Sequence, residues 1–283
     1  MDEYLTIGLP AMTVNTSAMG HTLLYLYQKT GKPRFLEPLK DILNWLQTKA
    51  ARFEDGVLQH IVSSNNDFPE QAWADTLFMA AYLMLRSGVE FNEPLLIDDA
   101  MNQYYWHIKY LQDPSTGLWY HGYNNIEKNH MSGFFWGRAN AWAAYTVSSA
   151  MRILPRPYLY PVWAGMVASL RDQLSSLKSL QTDEGLWRTI LDDEESYGEV
   201  SATAGLGAAM FSNGNPLHTN HVQKAFDGVL KNITEDGRVL NVSGGTAVMK
   251  DRESYRKIPK EWVQGWGQGL ALAFMSIALE ASR

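Results

Sequence analysis

The segment Ser115-Thr-Gly117-Leu-Trp119 is the strongest indicator of architecture, because the chain repeats its pattern. Each copy places a polar residue and a turn glycine before an apolar pair, and the four glycines are Gly56, Gly117, Gly185 and Gly237. This pattern favours a tight turn that enters a short extended segment. The glycines are 61, 68 and 52 residues apart, about the length of a helical hairpin with its loops. Four coincidental turns explain the pattern less well, so we predict a ring or stack of helix pairs.

Helical periodicity dominates the segments between these turns. Apolar residues recur at helical spacing, and Gly, Pro, Asp or Asn bounds most of the segments. The predicted helices cover residues 17–30, 35–51, 71–86, 95–111, 136–153, 158–180, 200–211, 218–232 and 262–281. No long linker or low-complexity tract interrupts the series. We therefore predict an all-α fold and a single domain over residues 1–283.

The composition limits the class of protein. Hydrophobic residues make up 46% of the 283 residues, which is enough for a sizeable core. A formal net charge of −6 without Lys/Arg runs argues against nucleic acid or an anionic membrane surface as a partner. The chain has no cysteine, residues 1–7 lack the regions of a signal peptide, and no apolar run has the length of a membrane span. We expect a cytoplasmic protein.

Three motifs indicate a carbohydrate site. They are Trp73-Ala-Asp75, Tyr120-His121-Gly122 and Trp136-Gly-Arg138-Ala-Asn-Ala-Trp142. A carboxylate, an imidazole, a guanidinium and several indoles are what a pocket needs to bind an anionic sugar and to move a proton on it. The histidines show no convincing metal-ligand spacing, and His218 and His221 are predicted to lie on the surface. We therefore expect no metal and no other cofactor.

Three further motifs accompany this site: Val200-Ser-Ala-Thr-Ala204, Tyr255-Arg-Lys-Ile-Pro259 and Gly265-Trp-Gly-Gln-Gly269. With them, most of the chain resembles the unsaturated rhamnogalacturonyl hydrolases, glycoside hydrolase family 105, and more distantly the unsaturated glucuronyl hydrolases. The resemblance implies an (α/α)6 barrel with its active site at one end. It also implies a small pectin-derived oligosaccharide as substrate, from whose non-reducing end a 4,5-unsaturated uronic acid is released.

On this resemblance, Asp75 matches the acid/base residue that protonates the enol-ether double bond and then activates water. Its neighbours Trp73, Leu77 and Phe78 are expected to raise its pKa by desolvation. Taken without the resemblance, an aspartate before an apolar run is better explained as a helix cap or first-turn acid.

His121 matches a substrate-contacting histidine of the family, although a lone histidine in an aromatic loop is most often structural. The guanidinium fork of Arg138 suits the uronate carboxylate, and a buried ion pair is the alternative. Trp136, Trp142 and Trp266 are predicted to line the pocket with indole faces that suit sugar rings. Because Trp136 and Trp142 lie on different faces of an ideal helix, one of them could belong to the core. Packing is an equal alternative for Trp266.

Two departures from the family pattern affect these expectations. Asn15 stands where the resemblance implies a second active-site aspartate, and its amide can bind sugar or water without supplying negative charge. The chain also begins about one helical hairpin later than the family does. The barrel could therefore lack its first hairpin, and a homo-oligomer could cover the helix faces left exposed. A non-catalytic saccharide-binding relative and a sugar epimerase on a similar barrel stay open as alternatives.

Overall fold

Helices form most of the computed structural model, which describes residues 11–54, 56–63, 65, 68–215 and 218–281. In chain order they are α1 (Val14–Ser17), α2 (Met19–Thr30), α3 (Pro33–Thr48), α4 (Leu83–Phe91), α5 (Pro94–Leu111), α6 (Gly137–Ile153), α7 (Trp163–Leu177), α8 (Val200–Asn213), α9 (Thr219–Leu230), α10 (Arg252–Arg256) and α11 (Gly265–Ala281). A π-helical turn over Leu77–Tyr82 leads directly into α4. None of the helices in these ranges is both long and apolar enough to cross a membrane.

Short antiparallel strand pairs lie in the connections between the helices. β1 (Arg52–Phe53) pairs with β2 (Val57–Leu58), β3 (Gln71–Trp73) pairs with β4 (Gly122–Asn124), and β5 (Trp187–Arg188) pairs with β6 (Gly198–Glu199). The pairs β1–β2 and β5–β6 join neighbouring strands of the chain, whereas β3 and β4 come from connections almost fifty residues apart. The β3–β4 pair therefore ties together two distant parts of the sequence.

The all-α expectation is confirmed, and a long helix lies in each of the nine predicted segments. The boundaries differ most in segment 71–86. Its first residues form β3 because they pair with β4, and the helical structure begins only at Asp75 and continues to Phe91. The short helix α10 was not predicted, since five residues are too few to show a helical period.

The four repeated turns are confirmed. All four glycines have positive φ, at 97° for Gly56, 72° for Gly117, 84° for Gly185 and 82° for Gly237. Residues with a side chain rarely adopt this conformation. Each turn is followed by an extended segment that pairs as a strand or as a single bridge. At Gly185 a β-carbon would also collide with the carbonyl oxygen of Lys224, so the close approach of α9 adds a second demand for glycine.

Among the described residues, the main cluster of buried hydrophobic side chains draws on all nine long helices. Within it, α8 packs closely against both α6 and α11. Small residues on α8 allow this approach: a β-carbon on Gly205 would lie 2.8 Å from the β-carbon of Ala141 on α6. This packing brings the N-terminal ends of α6 and α8 together, and those two ends carry Arg138 and Glu199.

Candidate active site

A pocket of about 280 Å³ collects most of the predicted site residues. Six of the seven line it: Asn15, Asp75, Trp136, Arg138, Trp142 and Trp266. The seventh, His121, is buried directly behind Asp75. The lining also includes His60 and the loop residues Gly245, Thr246 and Ala247, which the sequence analysis did not single out.

The β3–β4 pair brings Asp75 and His121 together. Trp73 at the end of β3 lies opposite Gly122 at the start of β4, and the Ala74 N–H donates to the His121 carbonyl oxygen at 3.1 Å. Asp75 then begins the helical segment, and its Oδ2 lies 3.6 Å from His121 Nε2. Two residues 46 positions apart in the sequence thus face each other because of one strand register.

The Asp75 carboxyl is mostly buried, with 13% of its side chain exposed. Neither its Oδ2 nor His121 Nε2 has a hydrogen-bond partner among the described residues. Burial is the largest influence on the Asp75 carboxyl and raises its pKa, but the facing His121, His60 and Arg138 together outweigh burial and lower the pKa below its ordinary value. The expected upward shift of this pKa was therefore wrong. Burial has the predicted effect on this pKa, and the opposing effect of polar and charged groups from distant segments is larger.

His121 is held by aromatic side chains. Its ring centroid lies 4.1 Å from that of Trp136, and its Nδ1 lies 2.8 Å from the Tyr255 hydroxyl, which accepts a hydrogen bond from the Met249 N–H at 3.2 Å. If the Tyr255 hydroxyl donates to Nδ1, the imidazole proton sits on Nε2 and faces Asp75. Burial lowers the pKa of His121 against the opposing effect of Asp75, so the ring is neutral in this pocket.

His60 is a site residue that sequence reasoning missed. Its ring stacks on Trp73 with centroids 4.5 Å apart, and its Nδ1 lies 3.0 Å from the Thr76 hydroxyl. Burial lowers the pKa of His60 to about 4, only partly opposed by Asp75. His60 is therefore a neutral group beside Asp75 at neutral pH. The only signal in the sequence is its place in the extended segment after the Gly56 turn.

Arg138 lines the pocket and also belongs to a buried ion pair. The two interpretations given to this residue, a pocket residue and a buried ion-pair partner, are therefore both correct. Its Nη1 lies 3.6 Å from Glu199 Oε1 and donates to the carbonyl oxygen and hydroxyl of Ser243. Its Nη2 donates to the Gly244 carbonyl oxygen at 2.7 Å and to the Thr246 hydroxyl at 3.2 Å. Both terminal nitrogens of the guanidinium fork are therefore already engaged by the chain.

Two indoles lie close to this guanidinium. The Arg138 carbon Cζ lies 4.5 Å from the ring centroid of Trp136 and 5.2 Å from that of Trp266. Such contacts stabilise a cation within an apolar site. Trp266 has a packing role as well, since its Nε1 donates to the Ser243 carbonyl oxygen at 3.1 Å.

Trp136 and Trp142 both line the pocket, so neither is only a core residue. Trp136 precedes α6, which begins at Gly137, and the spacing argument for an ideal helix therefore does not apply to it. Gly137 permits this placement, because a β-carbon there would collide with the Arg188 carbonyl oxygen. The Nε1 atoms of Trp136 and Trp142 have no partner among the described residues.

Asn15 lies in α1, and its exposed side chain reaches the same pocket. A capping box formed by Thr13 and Thr16 fixes α1, and the Asn15 N–H donates to the Ile61 carbonyl oxygen at 3.2 Å. The position matched to a second family aspartate is thus at the pocket, where an amide stands.

His218 and His221 lie at the start of α9, outside the pocket lining. No group of three or more potential ligands occurs in the described part of the chain. The surface prediction was wrong for His218, which is buried at the start of α9 near Lys178 and His221. His221 is half-buried, and its Nδ1 lies 2.8 Å from Gln181 Oε1.

The sequence matches known glycosidases. The model of Glycosyl Hydrolase Family 88 matches residues 1–281. The chain is 46% identical over 284 residues to the unsaturated rhamnogalacturonyl hydrolase YesR of Bacillus subtilis, covering 100% of this chain and 82% of that protein. It is 24% identical over 238 residues to an unsaturated 3S-rhamnoglycuronyl hydrolase of Alteromonas sp., covering 78% of this chain and 57% of that enzyme.

Solved structures show the same architecture. A Salmonella enterica protein described as "a possible member of GH105 family" superposes with a TM-score of 0.95 at 30% identity, covering 100% of this chain and 75% of that chain. The unsaturated glucuronyl hydrolase of Bacillus sp. GL1 superposes with a TM-score of 0.64 at 13% identity, covering 94% of this chain and 86% of that chain. These neighbours have the (α/α)6-barrel fold, which confirms the expected architecture.

Proposed function

The chain belongs to Glycosyl Hydrolase Family 88, and on that basis we propose that it releases a 4,5-unsaturated uronic acid from the non-reducing end of a small pectin-derived oligosaccharide, such as the unsaturated rhamnogalacturonan disaccharide. The 46% identity to YesR over the whole chain supports this substrate class. The observation that carries the proposal is the pairing of Asp75 with His121 in a pocket lined by indoles.

The proposed chemistry begins with the enol ether that the double bond forms with the ring oxygen. The Asp75 carboxylic acid donates its proton to C4, and positive charge develops at C5 and the ring oxygen. The resulting carboxylate takes a proton from water, whose oxygen adds to C5. The hemiketal at C5 then opens to a ketone, which leaves a hemiacetal at C1. Collapse of this hemiacetal to an aldehyde breaks the glycosidic bond, its hydroxyl proton passes to the leaving oxygen, and the remaining saccharide leaves as an alcohol.

One carboxyl group is sufficient for this sequence. Asp75 is the single carboxylate among the described lining residues, which agrees with a mechanism that uses the same group first as acid and then as base. The distance test that separates retaining from inverting two-carboxylate glycosidases does not apply to such a reaction.

The rest of the pocket suits the substrate. Arg138 supplies positive charge for the uronate, as charge rather than as a free fork, because its terminal nitrogens are engaged by Ser243, Gly244 and Thr246. We assign Trp266, which is the least buried of the three tryptophans, to stacking on a sugar ring, and His121 to orienting Asp75. Trp136 and Trp142, which are nearly buried, form the wall of the pocket. Asn15 would bind a sugar hydroxyl or water at the mouth.

Incubation with unsaturated rhamnogalacturonan disaccharide tests the proposal directly. Hydration of the double bond removes the ultraviolet absorbance of the enol ether, and mass spectrometry would detect the released keto sugar. Saccharide binding in calorimetry without any loss of absorbance would contradict the hydrolase and favour the non-catalytic saccharide-binding relative. Isomerisation of a saturated sugar would favour the epimerase.

Replacing Arg138 with leucine is expected to raise the KM for the unsaturated disaccharide about 10- to 100-fold, because a charge-assisted contact is worth roughly 1.5–3 kcal/mol. Steady-state kinetics measure this change. The matched control is Arg52→Leu, which removes a half-buried arginine that is paired with Asp99 and does not line the pocket. If Arg138→Leu only lowers the melting temperature and leaves KM unchanged, the uronate is held elsewhere.

Replacing Asn15 with aspartate is expected to increase turnover of the disaccharide several-fold, if a second carboxylate helps to hold water or sugar at this mouth. The added negative charge would also raise the pKa of Asp75 and extend activity toward higher pH. Asn44→Asp, in a separate groove between α3 and α5, serves as the control for added charge. A fall in turnover with Asn15→Asp would show that this chain depends on the amide.

Three further parts of the proposal concern the setting of the enzyme. We propose a cytoplasmic location, a single glycoside hydrolase domain over residues 1–283, and association of the chain with a second copy. Cell fractionation, limited proteolysis and light scattering test these in turn. Whether the barrel lacks its first hairpin also stays a prediction.

A further inference from the structure

Glu199 is a fully buried carboxylate with an unusual number of donors around it. It is the residue before α8, and its Oε1 accepts hydrogen bonds from the Ser201 hydroxyl (2.8 Å), the Ser243 N–H (2.8 Å) and the Ser243 hydroxyl (3.2 Å). Its Oε2 accepts from the Ser201 hydroxyl at 2.8 Å and from the Ala202 N–H. The guanidinium of Arg138 also faces this carboxylate, with Nη1 3.6 Å from Oε1. A buried carboxylate is tolerated only with such partners.

The same arginine and serine hold an irregular loop at the pocket. Arg138 donates to Ser243, Gly244 and Thr246, and the Gly244 N–H donates to the Pro259 carbonyl oxygen at 2.7 Å. The residues that follow Gly244, from 245 to 247, line the pocket and belong to no helix or strand. Contacts with Arg138 and Glu199 therefore replace secondary structure in fixing this wall.

We infer that Glu199 is a positioning residue for saccharide binding: together with Arg138 it forms a buried clamp that fixes loop 243–247 and aims the charge of Arg138 into the pocket. Glu199 itself does not line the pocket, and it acts on the pocket through its contacts with Arg138 and Ser243. The inference rests on the proposed function, since it assigns the clamp to binding of the unsaturated uronide.

A helix cap alone does not account for these contacts. Ser, Thr, Asp and Asn are the preferred capping residues, and any of them could accept from the Ala202 N–H. The longer glutamate side chain also reaches Ser243, a residue 44 positions later in the chain. The side chain therefore joins the end of α8 to the pocket loop, which a shorter capping residue would not do.

The test compares Glu199→Gln with the parent on the unsaturated disaccharide and on its carboxyl methyl ester. For the acid, we expect KM to rise about tenfold and kcat to change much less, because Glu199 no longer holds Ser243 and the Arg138 guanidinium in place for the uronate. For the ester, which has no charge for Arg138 to attract, the change in KM should be clearly smaller. Glu199→Asp keeps the charge and should recover part of the affinity.

A double-variant cycle shows whether Glu199 acts through Arg138. In the Arg138→Leu background, adding Glu199→Gln should raise KM little further, since residues that act as one unit are not additive. The control Asp99→Asn removes a carboxylate that is paired with an arginine away from the pocket, and it should leave KM unchanged. Equal KM changes for acid and ester, or additive effects in the cycle, would overturn the inference.

Two further measurements keep the test decisive. If Glu199→Gln does not fold, Thr246→Val breaks a contact between the loop and Arg138 without touching the helix cap, and the same rise in KM is expected. If the parent binds the disaccharide but leaves its double bond intact, the proposed hydrolysis fails, and calorimetric Kd values still report on the clamp. Unchanged Kd in Thr246→Val and Glu199→Gln would then refute the clamp independently.

Discussion

Turnover of the unsaturated disaccharide should fall about 10²–10⁴-fold when Asp75 is replaced by asparagine, which is the usual contribution of a general acid/base. The amide has nearly the same shape but cannot donate a proton to C4 or accept one from water. Binding should persist, because the indoles and Arg138 remain in place. Loss of absorbance measures turnover, and calorimetry measures the Kd of the same variant.

The matched control for this prediction is Asp113→Asn. Asp113 lies in the Gly117 turn, where its carboxylate accepts from Ser115 and Thr116, and it does not line the pocket. Its replacement should leave kcat near the parent value even if the melting temperature falls. Near-parent turnover in Asp75→Asn would refute the acid/base assignment, and another proton donor would then have to be found.

The helices and turns were predictable because their signals are local. Apolar spacing indicates a helix within a dozen residues, and a glycine after polar residues indicates a turn wherever it occurs. The β3 strand escaped detection for the opposite reason. Its residues read as the start of a helix, and only pairing with β4, from the connection before α6, makes them extended. At this position a long-range strand pairing overrides the local helix propensity, and a short stretch of sequence does not show that pairing.

The same distinction explains which parts of the site were found. The sequence motifs around three site residues contain residue types that indicate the chemistry of the site. These residues are Asp75, His121 and Arg138. Glu199 looks like an ordinary acid before an apolar helix, and Ser243 lies in a loop without any pattern, so only the folded chain shows that they meet. A side chain acting through another has no signature of its own in the sequence.

The direction of the Asp75 pKa shift also depends on residues that are distant in the sequence. The apolar neighbours that raise it are adjacent in sequence and were visible, whereas His121, His60 and Arg138 arrive from other connections. A lowered pKa means that the free protein holds Asp75 as a carboxylate at neutral pH. Since the proposed mechanism needs the acid form, kcat/KM should rise as pH falls toward that pKa.

Substrate binding is expected to shift this balance. The uronate carboxylate would offset the charge of Arg138, and the sugar would exclude water, so both effects raise the pKa of Asp75 in the complex. The high-pH limb of kcat, which reports the complex, should therefore lie at higher pH than the limb of kcat/KM, which reports the free enzyme. If the high-pH limbs of kcat and kcat/KM lie at the same pH, substrate binding does not change the pKa of Asp75.

Replacing His121 with phenylalanine should lower kcat about 10- to 100-fold, because the aromatic packing against Trp136 survives but the group that faces Asp75 is lost. The limb of kcat/KM should move to higher pH at the same time, since burial continues to raise the pKa of Asp75 while the lowering effect of His121 disappears. The control is His130→Phe, a ring stacked on Tyr120 outside the pocket lining, which should leave the limb unchanged. A shift of the limb to lower pH would contradict this assignment, because it would mean that His121 stabilises the protonated rather than the ionised carboxyl.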